Sequence, residues 1–179
     1  MAMELEAEEE AMMTARENER LVESLYAAVA AGDGAAASAV LAGDVDWWFH
    51  GPRRCEHMRR RLTGEAEAAS ASSFVFVPRQ VAAVGRGGGW VVAEGWEGPR
   101  AYWVHAWAVE GGRITRLREY FNTSVTVRDV GGGGHCRPQL DGGGVRRRAA
   151  VCWQSQRGRG GGDDDDDRSL PGLVLAIYT

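Results

Sequence analysis

Residues 101–121, AYWVHAWAVEGGRITRLREYF, form two β-prone runs around a Gly111-Gly112 pair. This pattern constrains the fold more than any other stretch. Two such runs joined by glycines make an antiparallel hairpin. Successive strand side chains point to opposite faces, so Trp103, His105, Trp107 and Val109 share one face while Tyr102, Val104, Ala106 and Ala108 share the other. In the return strand, the set facing the tryptophans is either Leu117, Glu119 and Phe121 or Ile114, Arg116, Arg118 and Tyr120.

Turn geometry decides between them. A two-residue turn sets His105 opposite Arg118 and Trp103 opposite Tyr120. A three-residue loop, with Gly112 left-handed as a bulge, sets His105 opposite Leu117 and Trp103 opposite Glu119. The bulged register keeps Arg116 and Arg118 off the tryptophan face, where burying them without partners is costly. It is the register expected here, and it places Glu119 among apolar side chains with His105 nearby.

The rest of the chain supplies the covering layer. Thr14 and Glu17 have capping-box spacing and precede Leu21, Val22, Leu25, Tyr26 and Val29 at helical intervals. Gly32-Asp33-Gly34 stops that helix, and a short second helix follows, ended by Gly43. Residues 44–52 read as an aromatic strand and 53–63 as a basic helix ended by Gly64. The runs SFVFVP, QVAAVG and GWVVAEGW read as further strands before the hairpin. The expected fold class is therefore α+β, with three N-terminal helices packed on a curved antiparallel sheet that leaves a mouth.

Residues 1–13 are expected to be a disordered acidic leader, and 14–130 the folded domain. Residues 131–148 read as a Gly/Arg-rich linker. Residues 149–179 read as segments docking on the domain, interrupted by a Gly/Asp-rich loop at 157–168. An exposed Trp153 or 173–177 run would invite aggregation, which is why docking is expected.

Charge and cysteine usage narrow the function classes. With 21 basic and 25 acidic residues, a net charge of −4 offers no nucleic-acid surface. Cys55, Cys136 and Cys152 are too few and scattered for a disulfide framework. His50, Cys55 and His57 match no zinc spacing, so neither metal nor cofactor is expected. The arginines at 53, 54 and 59–61 read as a solvated helix face. An acidic start without an apolar run argues against a signal peptide, and no run is long enough to span a membrane. A cytoplasmic or nuclear location is the expectation.

The candidate site is the tryptophan face. Trp47, Phe49, Trp103, Trp107, Leu117 and Phe121 would wall it, and Glu119 and His105 would supply its polar pair. Glu94 joins it if the register at WEGPRA allows, and Asn122 sits near its mouth. A carboxyl and an imidazole in an aromatic hollow suit proton transfer, or the orientation of one polar group of a small apolar ligand. The ligand reading is preferred. An isomerase or hydrolase using Glu119 and His105 and a homodimeric interaction module using the sheet face are the alternatives.

DVDWWFHGP, HMRRRLTG, WVVAEGW, YWVHAW, GGRITRLREYFNTSVTV, CWQS and SLPGLVLAI, in that order, resemble the plant wound-induced and senescence-associated proteins of the nuclear transport factor 2-like, or SnoaL-like, superfamily. The resemblance implies a cone-shaped fold that serves both enzymes and non-catalytic binders, and stress-responsive expression. It also implies an acid at Glu119, where REYFN is similar to a segment of related epoxide hydrolases. Those enzymes carry an arginine where this chain has Gly95, so the water-activating set looks incomplete.

Overall fold

The computed structural model describes residues 2–52, 55–65, 74–97, 101–123, 125–128, 149–155 and 173–178. The linker at 131–148 and the Gly/Asp-rich loop at 157–168 lie outside the described residues. The chain divides into two compact units, Met1–Thr123 and Ser124–Thr179.

The first unit opens with α1 (Ala2–Ala31) and α2 (Gly34–Ala39). The helix begins at Ala2, so the acidic leader expected to be disordered is helical and Thr14 lies mid-helix rather than at a cap. The segment is rich in Glu, Ala and Met, all strong helix formers. α1 ends at Gly32-Asp33 as expected, and Asp33 Oδ1 accepts a hydrogen bond from Ala36 N at 2.9 Å to cap α2. The apolar stripe Val22, Leu25, Tyr26 and Val29 is buried.

Five strands follow: β1 (Leu41–His50), β2 (Pro78–Val84), β3 (Trp90–Glu97), β4 (Ala101–Glu110) and β5 (Arg113–Phe121), with α3 (His57–Thr63) between β1 and β2. Their order in the sheet is β1-β5-β4-β3-β2. β2 to β5 pair antiparallel, but β1 runs parallel to β5, which corrects the purely antiparallel expectation. SFVFVP is not a strand: residues 74–77 are irregular and β2 begins at Pro78. The arrangement is α+β, with helices against a sheet dominated by antiparallel pairs, as the resemblance implied.

The hairpin takes a third register. Glu110 pairs with Arg113 across a two-residue Gly111-Gly112 turn, both glycines having positive φ, 58° and 74°, as a type I′ turn requires. The pairing then slips by one between Ala108 and Val109, so that His105 faces Glu119, Trp103 faces Phe121 and Trp107 faces Leu117. The bulge therefore sits inside β5, at Thr115, and not at the turn. The face assignment survives the correction, because both placements of one extra residue reverse the parity of the return strand. Trp103, Trp107, Leu117 and Phe121 are in the core, while Arg116 and Arg118 lie on the opposite face with Glu110 at 3.4 Å and Asp46 at 3.3 Å.

The second unit holds a three-stranded sheet of β6 (Thr126–Arg128), β7 (Ala149–Gln154) and β8 (Val174–Tyr178), in the order β6-β8-β7. Trp153, Leu173 and Leu175 are buried. Ser155 Oγ accepts from Leu173 N at 3.0 Å. Among the described residues, no helix is long and apolar enough to cross a membrane.

Candidate functional site

The inner face of the first sheet carries His105 at its centre, flanked along β4 by Trp103 and Trp107 and faced across the ladder by Glu119. Burial of His105 and Glu119 is nearly complete, at 0% and 1% exposure. A polar pair placed so deep is costly unless its hydrogen bonds are made, so the partners are informative.

They come from two helices. Tyr26 of α1 places its hydroxyl 2.6 Å from His105 Nδ1 and accepts a hydrogen bond from Trp107 Nε1 at 3.1 Å. Indole N–H is a donor only, so the Tyr26 oxygen accepts from Trp107, and giving the phenol proton to His105 Nδ1 is the arrangement that satisfies all three groups. Burial holds the Tyr26 phenol well above its ordinary pKa, which keeps that proton in place. In the neutral imidazole the remaining proton is then on Nε2, which lies 3.4 Å from Glu119 Oε1. From α3, Met58 N donates to the same carboxyl oxygen at 3.4 Å.

The His105–Glu119 contact has the distance of an ion pair but not the alignment of a hydrogen bond: Nε2 has no hydrogen-bond partner among the described residues. Neither do Glu119 Oε2 and Trp103 Nε1. All three are buried, and Trp103 and His105 stand 4.8 Å apart between ring centroids.

The rest of the inner face is filled by side chains. Phe76 sits edge-on to Trp103 at 5.2 Å and tilted over His105 at 5.0 Å. Tyr26 stacks on Trp103 at 5.8 Å. The expected mouth is thus occupied, with Met58 and Phe76 both buried against the cluster. An open hollow of about 90 Å³ lies elsewhere, lined by Val29, Asp33, Arg61 and Leu62 among others. Phe76 belongs to the irregular stretch 74–77, in which Val75 and Val77 are exposed. That stretch is tied down by Arg61 Nη1 donating to Phe74 O at 2.8 Å and by Val75 N donating to Glu97 Oε2.

The expected site residues separate into two groups. Trp103, His105, Trp107, Leu117, Glu119 and Phe121 share the inner face, and Trp47 and Phe49, half-buried, pack against the same core from β1, beside Leu117 and Glu119. Glu94 does not join them. It pairs with Val104, on the opposite face from His105, and accepts a hydrogen bond from Tyr102 Oη at 2.8 Å. Asn122 closes the ladder instead of lining the site: its Oδ1 accepts from Tyr102 N, and its N donates to Tyr102 O, both at 2.8 Å. Tyr26, Met58 and Phe76 were missed as site residues. Tyr26 carried a legible signal, a hydroxyl on an otherwise apolar helix stripe. Met58 acts through its backbone, which no side-chain pattern reveals.

Gly95 has no room for a side chain. A Cβ there would collide with Trp103 Cζ2 and come within 2.6 Å of Val77 O. The Trp103 ring and a side chain at 95 are mutually exclusive in this packing.

The family model described as Wound-induced protein WI12 matches residues 58–177. "Senescence associated gene 20" of Arabidopsis thaliana is 41% identical over 119 residues, covering 66% of this chain and 99% of that protein. "Wound-induced protein 1" of Solanum tuberosum is 45% identical over 71 residues, covering 39% of this chain and 64% of that protein. Among solved structures, an NTF2-like protein from Burkholderia xenovorans aligns with a TM-score of 0.41 at 23% identity, covering 59% of this chain and 89% of that one.

Proposed function

The chain belongs to the Wound-induced protein WI12 family, and on that premise we propose that it is a stress-responsive protein that binds a small, mostly apolar molecule on the inner face of its first sheet, without strong catalysis. One observation carries this reading: Trp103, His105 and Glu119 are neighbours on one face of the sheet, and Trp103 Nε1, His105 Nε2 and Glu119 Oε2 are each buried without a hydrogen-bond partner among the described residues. Such groups cost about 1–3 kcal/mol each when left unsatisfied, and they are retained where something else satisfies them. The surrounding indole and phenyl rings supply the apolar contact that a ligand needs.

Access requires Phe76 to leave. Phe76 lies outside every helix and strand, so its ring can turn aside without breaking a ladder while the stretch stays held at Phe74 O and Val75 N. The ligand's ring takes the place of the Phe76 ring over Trp103 and His105, and the ligand's polar group meets the three unpartnered atoms. Binding of an apolar fluorescent probe tests this. Phe76→Ala is expected to tighten binding, and Glu119→Gln to change affinity more than stability. Loss of binding in Phe76→Ala with the fold intact would count against it.

The hydrolase alternative is disfavoured by the Trp103–Gly95 contact, since no side chain at 95 can assist Glu119. The interaction-module alternative has no comparable observation behind it.

A further inference from the structure

The three unpartnered atoms also restrict what the ligand must be, given the binding reading above. Their donor and acceptor character follows from the hydrogen bonds already made. Trp103 Nε1 is a donor by constitution. His105 Nε2 is a donor because Tyr26 already occupies Nδ1 with its own proton. Glu119 Oε1 accepts from Met58 N, and with the side chain ionised Oε2 is an acceptor that has no partner among the described residues. The face therefore offers two donors and one acceptor.

We infer that the ligand's polar group is a neutral hydroxyl, donating to Glu119 Oε2 and accepting from the N–H groups of Trp103 and His105. A hydroxyl has one proton and two lone pairs, the complement of this set. An ether or ketone leaves the carboxylate oxygen unmatched. A carboxylate ligand would bring a second negative charge against Glu119 in a site closed to water, where such repulsion is poorly screened. The ligand class is an aromatic or alicyclic alcohol or phenol.

The test uses four probes that share one ring system: naphthalene, 2-naphthol, 2-methoxynaphthalene and 2-naphthoate, titrated by calorimetry into the full chain at pH 7. A hydrogen bond to a charged group is worth about 1.5–3 kcal/mol, so 2-naphthol is expected to bind at least about tenfold more tightly than any of the other three. Glu119→Gln is expected to shrink that advantage to about threefold or less and to raise the affinity for 2-naphthoate. Trp103→Phe, which keeps the ring and removes the donor, is expected to weaken 2-naphthol but not naphthalene. The ranking in the unmodified protein needs no variant to fold. If 2-methoxynaphthalene or 2-naphthoate equals 2-naphthol, the hydroxyl inference fails while the binding reading stands. If none of the four binds either the unmodified chain or Phe76→Ala, both fail.

Discussion

The Tyr26 hydroxyl lies 2.6 Å from His105 Nδ1, tying the first helix to the middle strand of the sheet through a buried polar contact. Removing that oxygen strands two groups at once, His105 Nδ1 and Trp107 Nε1. Each unsatisfied buried group costs about 1–3 kcal/mol, so Tyr26→Phe is expected to lose about 2–6 kcal/mol of stability in chemical denaturation. A loss below about 0.5 kcal/mol would mean that the oxygen contributes little net energy.

Gly95 offers a packing test. Gly95→Ala drives a methyl group against the Trp103 ring and the Val77 carbonyl. Overpacking costs about 1–3 kcal/mol, and the backbone oxygen has little room to yield, so the upper part of that range is expected. Pairing the substitution with Trp103→Leu should recover part of the loss, because the ring is half of the clash. Denaturation midpoints of the two variants, read together, check the claim.

How much of this was legible beforehand depended on which interaction set each feature. The inward face of the hairpin could be read because burying Arg116 and Arg118 is costly, and that penalty acts wherever the bulge lies. The bulge itself could not be placed, since Gly111-Gly112 suits both a two-residue turn and a longer loop, and nothing about Thr115 announces an extra residue. Glu94 was misassigned because its face depends on the β3–β4 register, which the WEGPRA stretch leaves open. The parallel pairing of β1 with β5 is a long-range choice without a local signature. The filled mouth was unreadable because Phe76 looked like part of a strand, whereas it packs from an irregular stretch.

The turn supplies a stabilising substitution. Gly111 has φ 58°, a conformation that asparagine tolerates, and Asn-Gly is a favoured type I′ pair. Nothing lies within 4 Å of a Cβ built there. Gly111→Asn narrows the unfolded ensemble at little native cost, so it is expected to raise stability by about 0.4–1 kcal/mol. Gly111→Val should lower it, and thermal melts of the pair decide the point.

Acid sensitivity is expected from His57. Burial lowers its pKa from the ordinary 6.5, with Glu119 and Glu97 opposing and Arg60 assisting. The ring stacks on Phe74 at 4.4 Å and meets the edge of Phe121 at 5.7 Å. A histidine with a depressed folded pKa binds fewer protons in the native state than in the unfolded state, so stability rises with pH through this window. The contribution is intact above about pH 6.5 and is lost as pH falls below it towards the folded value. His57→Phe, which keeps the stack and cannot titrate, should flatten the melting temperature between about pH 6.5 and 5.5. An unchanged slope would assign the sensitivity to other groups.

The most direct measurement of the buried site is a nitrogen–proton NMR titration of the indole N–H signals with 2-naphthol. Trp103 Nε1 is buried and unpartnered, whereas Trp107 Nε1 is bonded to Tyr26 and Trp48 lies on the exposed edge strand. The Trp103 signal is predicted to move farthest, in the direction of hydrogen-bond formation, with a smaller shift at Trp107 and none at Trp48. A titration that moves Trp48 alone, or that leaves Trp103 unmoved at saturation, would contradict a ligand site on the inner face.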